Sequence, residues 1–442
     1  MGSSLEQATM RRVTWRLVPF LCVLYTIAFI DRINVGFAAL TMSKDLGLTP
    51  TMFGFGAGLF FIAYFLFEVP SNLMLDKVGA RRWIARVMIT WGIISMGFAF
   101  IDSANQFYVL RFLLGIAEAG FFPGVILYLT YWFPKRWRGR VTAGFVVAIP
   151  IASAIAAPIS GYLLAMEGVL GFHGWQWMFI LEAAPAVALG FVCLFFLTDK
   201  PEQATWLAPE QRDWLVAEMA KEQGIPERHS LREIGATLIS WPVLRLSLVY
   251  FGLTTGLYGI ELWLPQIVKG FGLSNIEVGF VSAIPYLLAI ATMGLWARHS
   301  DRTGERFGHV AIACLVGCGG LMIAGLVHTL AIPTVIFLSL AIAGVMAARP
   351  PFWQLPPEFL SGAKLAGGIA AINSIGNLGG FVGPSLIGWA REATGSFTAG
   401  LMISAMTLGV SALFVLSLKR SARIEAKTDA SVPVGAASPA SH

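Results

Sequence analysis

"LDKVGARR" (Leu75–Arg82) returns in altered form as "SDRTGERF" (Ser300–Phe307), each at the end of a long apolar run. Asp76 and Asp301 stand 225 residues apart. A second, unrelated pair keeps almost the same offset: "APISG" (Ala157–Gly161) is echoed by "GPSLIG" (Gly383–Gly388), with Pro158 and Pro384 226 residues apart. Two motifs at one spacing describe a unit that occurs twice. In both copies an aspartate opens a tight turn, a glycine (Gly79, Gly304) permits its backbone angles, and an arginine (Arg81, Arg306) follows. Such a turn can latch a helix end by charge pairing and release it when two bundles move; the alternative is that its basic residues only anchor topology.

The composition gives the solvent. Of 442 residues, 56% are hydrophobic and 13% charged, and mean hydropathy is +0.71. Soluble domains carry about a quarter charged residues, so this chain has roughly half the usual charge. Its apolar runs are of membrane-crossing length. Twelve helices are expected, near 13–40, 52–75, 84–101, 107–133, 140–165, 177–197, 243–268, 278–298, 309–330, 332–352, 365–391 and 396–418. One long polar segment separates the sixth from the seventh. The expected plan is an all-α polytopic membrane protein of two homologous six-helix bundles. Residues 1–197 form the first bundle, 198–242 a cytoplasmic linker, 243–420 the second bundle and 421–442 a disordered cytoplasmic tail.

Basic residues orient it. With both termini in the cytoplasm, and the central segment and ambiguous helix ends set aside, 17 lysines and arginines fall inside against three outside, Lys44, Lys269 and Arg391. The net charge of +6 is thus a topology signal and does not point to nucleic acid. Arg11 and Arg12 precede an apolar run, but no small-residue cleavage pattern follows, so the first run reads as a retained helix. All four cysteines (Cys22, Cys193, Cys314 and Cys318) lie in apolar runs and read as packing residues, without a metal site. The six histidines are scattered, no nucleophile–base pair is apparent, and the linker is too small for an output domain. Neither an enzyme with a cofactor nor a sensor is expected. Repeated bundles with a site between them are the layout of an alternating-access transporter, its partners being lipid and a small solute.

Ionisable residues at bilayer depth are functional candidates by default. "YTIAFIDRINVGFAAL" (Tyr25–Leu40) carries Asp31 and Arg32 inside an apolar run, and the fourth helix carries Arg111 and Glu118. Seven residues at about 100° each put the latter two on one helix face, two turns apart. The corresponding stretches of the second half, near 256 and 336–343, carry no charge, which makes the charged site asymmetric. The four could be ion pairs that fix packing, but buried pairs are often no better than apolar residues of the same size. The functional reading is that protonation of Asp31 and Glu118 leaves Arg32 and Arg111 as positive charge for an organic carboxylate. Arginine suits that task because it grips a carboxylate with two parallel hydrogen bonds. Glu68 reads as serving the gate beside Asp76. Tyr64 either offers its hydroxyl to a cavity or packs. Glu182 and Glu261 read as packing or helix-end residues, and His299 as structural. Trp353 and Gln354 could close the site from the second half. Asn373 is favoured as a substrate contact and Asn377 as interhelical glue, with little to separate them.

"FIDRINVGFA", "FEVPSNLMLDKVGARRW", "RFLLGIAEAGFFPG", "HSDRTGER" and "INSIGNLGGFVGP" together resemble the anion:cation symporter branch of the major facilitator superfamily, over about residues 10–420. The look is that of bacterial tartrate-transporter-like organic acid permeases; the branch also includes relatives for galactonate, glucarate, phthalate, hydroxyphenylacetate and tricarboxylates. The resemblance implies the major facilitator fold, a monomer, and proton-coupled uptake of an organic anion across the bacterial inner membrane. It implies proton-coupling roles for Asp31 and Glu118 and substrate-binding roles for Arg32, Tyr64, Arg111, Trp353 and Asn373. Two departures bear on the substrate. Phe29 stands where sugar-acid members resemble a pattern with tyrosine, and Ile149 stands near a polar position of helix 5. Both remove hydrogen-bonding capacity, which favours a smaller or more aromatic carboxylate over a polyhydroxylated one. The rival within transport is a proton-linked exporter of the same superfamily; Arg32 and Arg111 argue against a site built for cations.

Overall fold

The computed structural model describes residues 2–146, 148–222, 240–360 and 362–431. Helices 1 to 3 are Gly2–Asp45, Pro50–Val78 and Ala80–Gly97. Helix 4 is broken into Ala104–Glu118 and Phe121–Trp132, and helix 5 is described over Lys135–Val146 and Ala148–Leu164. Helix 6 is Gly174–Phe196, and a polar helix, Pro209–Glu222, follows. Helices 7 to 10 are Trp241–Lys269, Asn275–Thr303, Phe307–Leu326 and Ala331–Phe352. Helix 11 is formed by Gly362–Asn377 and Gly379–Thr394, and helix 12 is Thr398–Ser431. No strand occurs among the described residues. Ten of these helices are individually long and apolar enough to cross a membrane, and Ala148–Leu164 is a shorter apolar one. The twelve expected crossings are present.

Several boundaries differ from the expected ones. The break in helix 4 comes directly after Glu118, where Gly120 takes φ +80°. A Cβ on Gly120 would stand 2.7 Å from Ser71 Oγ, so glycine serves both the turn and close packing on helix 2. Helix 12 continues as backbone helix to Ser431, past 420, and residues 432–442 lie outside the described residues, as do 223–239 of the linker.

The end of the bundle at which helix 1 begins and helix 12 ends is called the terminal face below, and the other the far face. The two sets of six helices meet tightly toward the far face. A Cβ on Gly36 of helix 1 would come within 2.8 Å of the Leu262 carbonyl of helix 7, and one on Gly161 of helix 5 within 2.7 Å of the Asn275 carbonyl of helix 8. Gly54 of helix 2 presses on the Pro384 backbone of helix 11, and Gly388 on Pro50. The Thr51 amide of helix 2 donates to Glu392 of helix 11 at 2.9 Å. Small residues let the backbones approach, which is how helices associate without a hydrophobic driving force. The far face is closed.

Candidate functional site

A cavity of about 60 Å³ sits between the two halves, walled by helices 1, 2, 4 and 5 on one side and 7, 10 and 11 on the other. Nine of its fourteen lining residues are aromatic: Tyr25, Phe29, Phe60, Phe61, Tyr64, Phe122, Tyr250, Tyr258 and Trp353. Two are arginines, Arg32 from helix 1 and Arg349 from helix 10. Asn373 and Asn377 are both at the wall, as is Ile149.

Arg32 is the hub. Its Nη2 is ion-paired to Glu118 Oε1, and its Nη1 donates to the Tyr258 hydroxyl of helix 7 at 3.2 Å. Its guanidinium lies 5.2 Å from the Phe60 ring centre and 5.6 Å from that of Tyr64. Glu118 is 1% exposed, and its second oxygen accepts no hydrogen bond among the described residues.

Asp31 points the other way. It accepts from Trp91 Nε1 at 2.6 Å, from Asn34 Nδ2 at 3.2 Å and from the Ser95 hydroxyl, all away from the cavity wall. Three donors satisfy a carboxylate that could not otherwise remain buried. Arg111, also 1% exposed, donates from Nη2 to the Ala57 carbonyl at 2.8 Å. It shares a helix face with Glu118 as expected, but two turns higher it meets helix 2 and does not line the cavity. Asp31 and Arg111 are close enough to feel each other's charge.

Across the cavity, Arg349 Nη2 donates to the Tyr250 hydroxyl at 3.4 Å, while its Nε has no partner among the described residues. Trp353 packs edge-on against Tyr250, with ring centres 4.9 Å apart. Toward the terminal face the halves touch through Glu68, which accepts from Asn373 Nδ2 at 2.7 Å and from Ser374 Oγ at 3.2 Å. Glu68 therefore faces helix 11 and not Asp76, two turns further along. Glu182 accepts from Ser160 at 2.7 Å, a packing contact. Neither carboxylate oxygen of Glu261 has a partner among the described residues.

A family profile described as Major Facilitator Superfamily matches residues 21–384. The chain belongs to the major facilitator superfamily. This transporter is 56% identical, over 96% of its length and 97% of the other's, to an Agrobacterium vitis protein provisionally named a tartrate transporter. It is 45% identical, over 90% of its length and 91% of the other's, to a quinolone resistance transporter of Acinetobacter baumannii. Its fold matches that of XylE, the xylose transporter of E. coli, with TM-score 0.73 over 92% of this chain and 98% of that one, at 14% identity.

The two loop turns of the transporter differ in detail. Asp301 is ion-paired with Arg306 at 2.8 Å and accepts from Gln354 at 3.4 Å, so Gln354 serves this turn and not the cavity. Asp76 accepts from the Tyr131 hydroxyl at 3.0 Å, and Arg81 turns to Asp199 beyond helix 6, its backbone amide donating at 2.8 Å. Gly79 (φ +94°) and Gly304 (φ +67°) both need the left-handed region. These contacts tie helices of the same half together. His299 contacts His309 at 2.7 Å, a local link.

Arg349, Tyr250 and Tyr258 were not singled out by the sequence. The available signal was Arg349 itself, an arginine buried to 6% exposure that follows the apolar run of helix 10. It reads as a basic residue at a helix end, because prolines follow it.

Proposed function

We propose that this transporter carries out proton-coupled uptake of a small organic dicarboxylate, tartrate or a close relative, by alternating access across the bacterial inner membrane with both termini cytoplasmic. One observation carries the reading: an arginine from each half, Arg32 and Arg349, faces one compact cavity. A dicarboxylate held between them ties the halves together, and each carboxylate takes charge-assisted hydrogen bonds. Tyr64, Trp353 and Asn373 supply the aromatic wall and a neutral donor.

Coupling follows from the Arg32–Glu118 pair. While Glu118 is ionised it occupies Arg32. A proton on Glu118 frees the guanidinium, and an incoming carboxylate takes its place. By linkage, anion binding then favours protonation as much as protonation favours binding. Asp31, held by its three donors with Arg111 nearby, is the second proton site, and Arg111 acts through Asp31 without touching substrate. The turns at Asp76, Gly79 and Arg81, and at Asp301, Gly304 and Arg306, stiffen each half so that it moves as a unit. The chain works as a monomer, without cofactor or catalysis.

The likeness to the quinolone resistance transporter, together with the aromatic wall, favours one second reading, a proton-linked exporter of planar aromatic acids. One experiment separates them. In proteoliposomes with an inward proton gradient, the symporter accumulates tartrate; the exporter does not, and instead moves aromatic acids against the gradient's direction. Absence of gradient-driven uptake of any dicarboxylate would sink the proposal.

A further inference from the structure

A second recess, sharing no lining residue with the central cavity, lies on the lipid-facing side of helices 8, 9 and 10. It is a groove of about 650 Å³. Its floor is small: Ala313 of helix 9 and Ala343, Gly344 and Ala347 of helix 10. A Cβ on Gly344 would come within 2.7 Å of the Ala313 carbonyl, so the two helices meet closely beneath it. Exposed Leu295, Ile312 and Val316 form apolar sides. At its terminal-face end stand Arg298 and Arg302, one helical turn apart, both exposed, and neither ion-paired among the described residues. The rim is fixed: Trp296 Nε1 donates to the His309 carbonyl at 3.1 Å, holding helix 8 to helix 9.

We propose that this groove binds an anionic diacyl phospholipid of the surrounding bilayer, its phosphate between Arg298 and Arg302 and one acyl chain along the small-residue floor. The observations are complementary in charge and shape. Two unpaired guanidiniums at headgroup depth select a phosphate, and an apolar channel running from them toward the bilayer centre fits a chain. The internal repeat gives a control within the molecule. At the same offset of 225, Arg298 and Arg302 correspond to Leu73 and Lys77, while Ala313 and Val316 correspond to Met88 and Trp91. The first half therefore lacks one of the basic residues and carries bulkier side chains at one floor position and one side position. The lipid site belongs to the second half alone, and it borders the Asp301–Arg306 turn.

The test is native mass spectrometry of the purified full chain titrated with phosphatidylglycerol and, separately, phosphatidylcholine of the same chains. Phosphatidylglycerol should bind more tightly by roughly tenfold or more, and glycerol phosphate without chains should not compete. The double variant R298Q/R302Q should lose that preference, whereas R298K/R302K should keep most of it. Ala313→Phe, which fills the floor and leaves both arginines, should also lose the bound lipid, and it decides the matter if the first variant does not fold. Equal binding of the two lipids by the wild-type chain, or an undiminished preference in either R298Q/R302Q or Ala313→Phe, would overturn the proposal.

Discussion

Arg32 and Glu118 form a buried ion pair between helices 1 and 4, and Arg32 also reaches across the cavity to Tyr258 of helix 7. Removing one partner of a buried pair usually costs several kcal/mol, because the other is left as an uncompensated charge. Replacing Glu118 with glutamine keeps the shape but abolishes the proton site. In Glu118→Gln, accumulation driven by a proton gradient should fall to background while exchange of labelled for unlabelled dicarboxylate persists. Paired measurements in proteoliposomes check this, and full accumulation by the variant would remove Glu118 from coupling.

Arg349 gives a prediction about substrate length. A charge-assisted hydrogen bond is worth about 1.5–3 kcal/mol, or roughly 10- to 150-fold in affinity. Arg349→Gln should raise KM for a dicarboxylate by that order while leaving a monocarboxylate of similar size nearly unchanged. Comparable losses for both would mean that Arg349 only supports Tyr250.

The legible and illegible parts of this protein divide along physical lines. Membrane crossings were legible because lipid demands long apolar runs, and the doubled architecture because Asp76 and Asp301 keep their spacing. Asp31, Arg32 and Glu118 stood out because a charge in such a run is costly. Their partition was not legible: adjacent Asp31 and Arg32 diverge around the helix, one to Trp91 and one to the cavity. Arg349 was hidden by depth, since near a helix end a basic residue is read as topology. The Glu68–Asn373 bond joins residues 305 positions apart, a pairing that only tertiary structure creates. Helix 4 was expected to run unbroken, although "EAGFFPG" held the glycine that breaks it beside Glu118.

Gly36 should control the far face. Its absent side chain leaves room for the Leu262 backbone, which would lie 2.8 Å from an added Cβ and cannot rotate away as a side chain can. Gly36→Val should therefore push helices 1 and 7 apart and favour opening of the far face. A cysteine placed by Thr51→Cys, at the Glu392 contact, should then react several-fold faster with a membrane-impermeant maleimide than in the parent. An unchanged labelling rate together with unchanged transport would show that the contact yields without opening.

Glu305 offers a pH test outside the membrane-spanning helices. Burial pushes its carboxyl up, but hydrogen bonds from Lys419, the Gly308 amide and His309 outweigh that and hold it at about 2, against an ordinary 4.5. A carboxyl depressed in the folded state stabilises the fold above its unfolded value and loses that contribution as pH falls through its folded one. The group is about a third exposed, so solvent screening makes the effect modest. Lys419 lies on helix 12 and Glu305 in the turn after helix 8, so the contribution is to the second half's terminal face. Thermal melts of wild type and Glu305→Gln in detergent should differ by a few degrees at neutral pH. The gap should hold down to pH 4.5 and close as pH falls toward about 2. A gap of constant size across that window would assign the loss to packing of the glutamine and not to the carboxylate's charge.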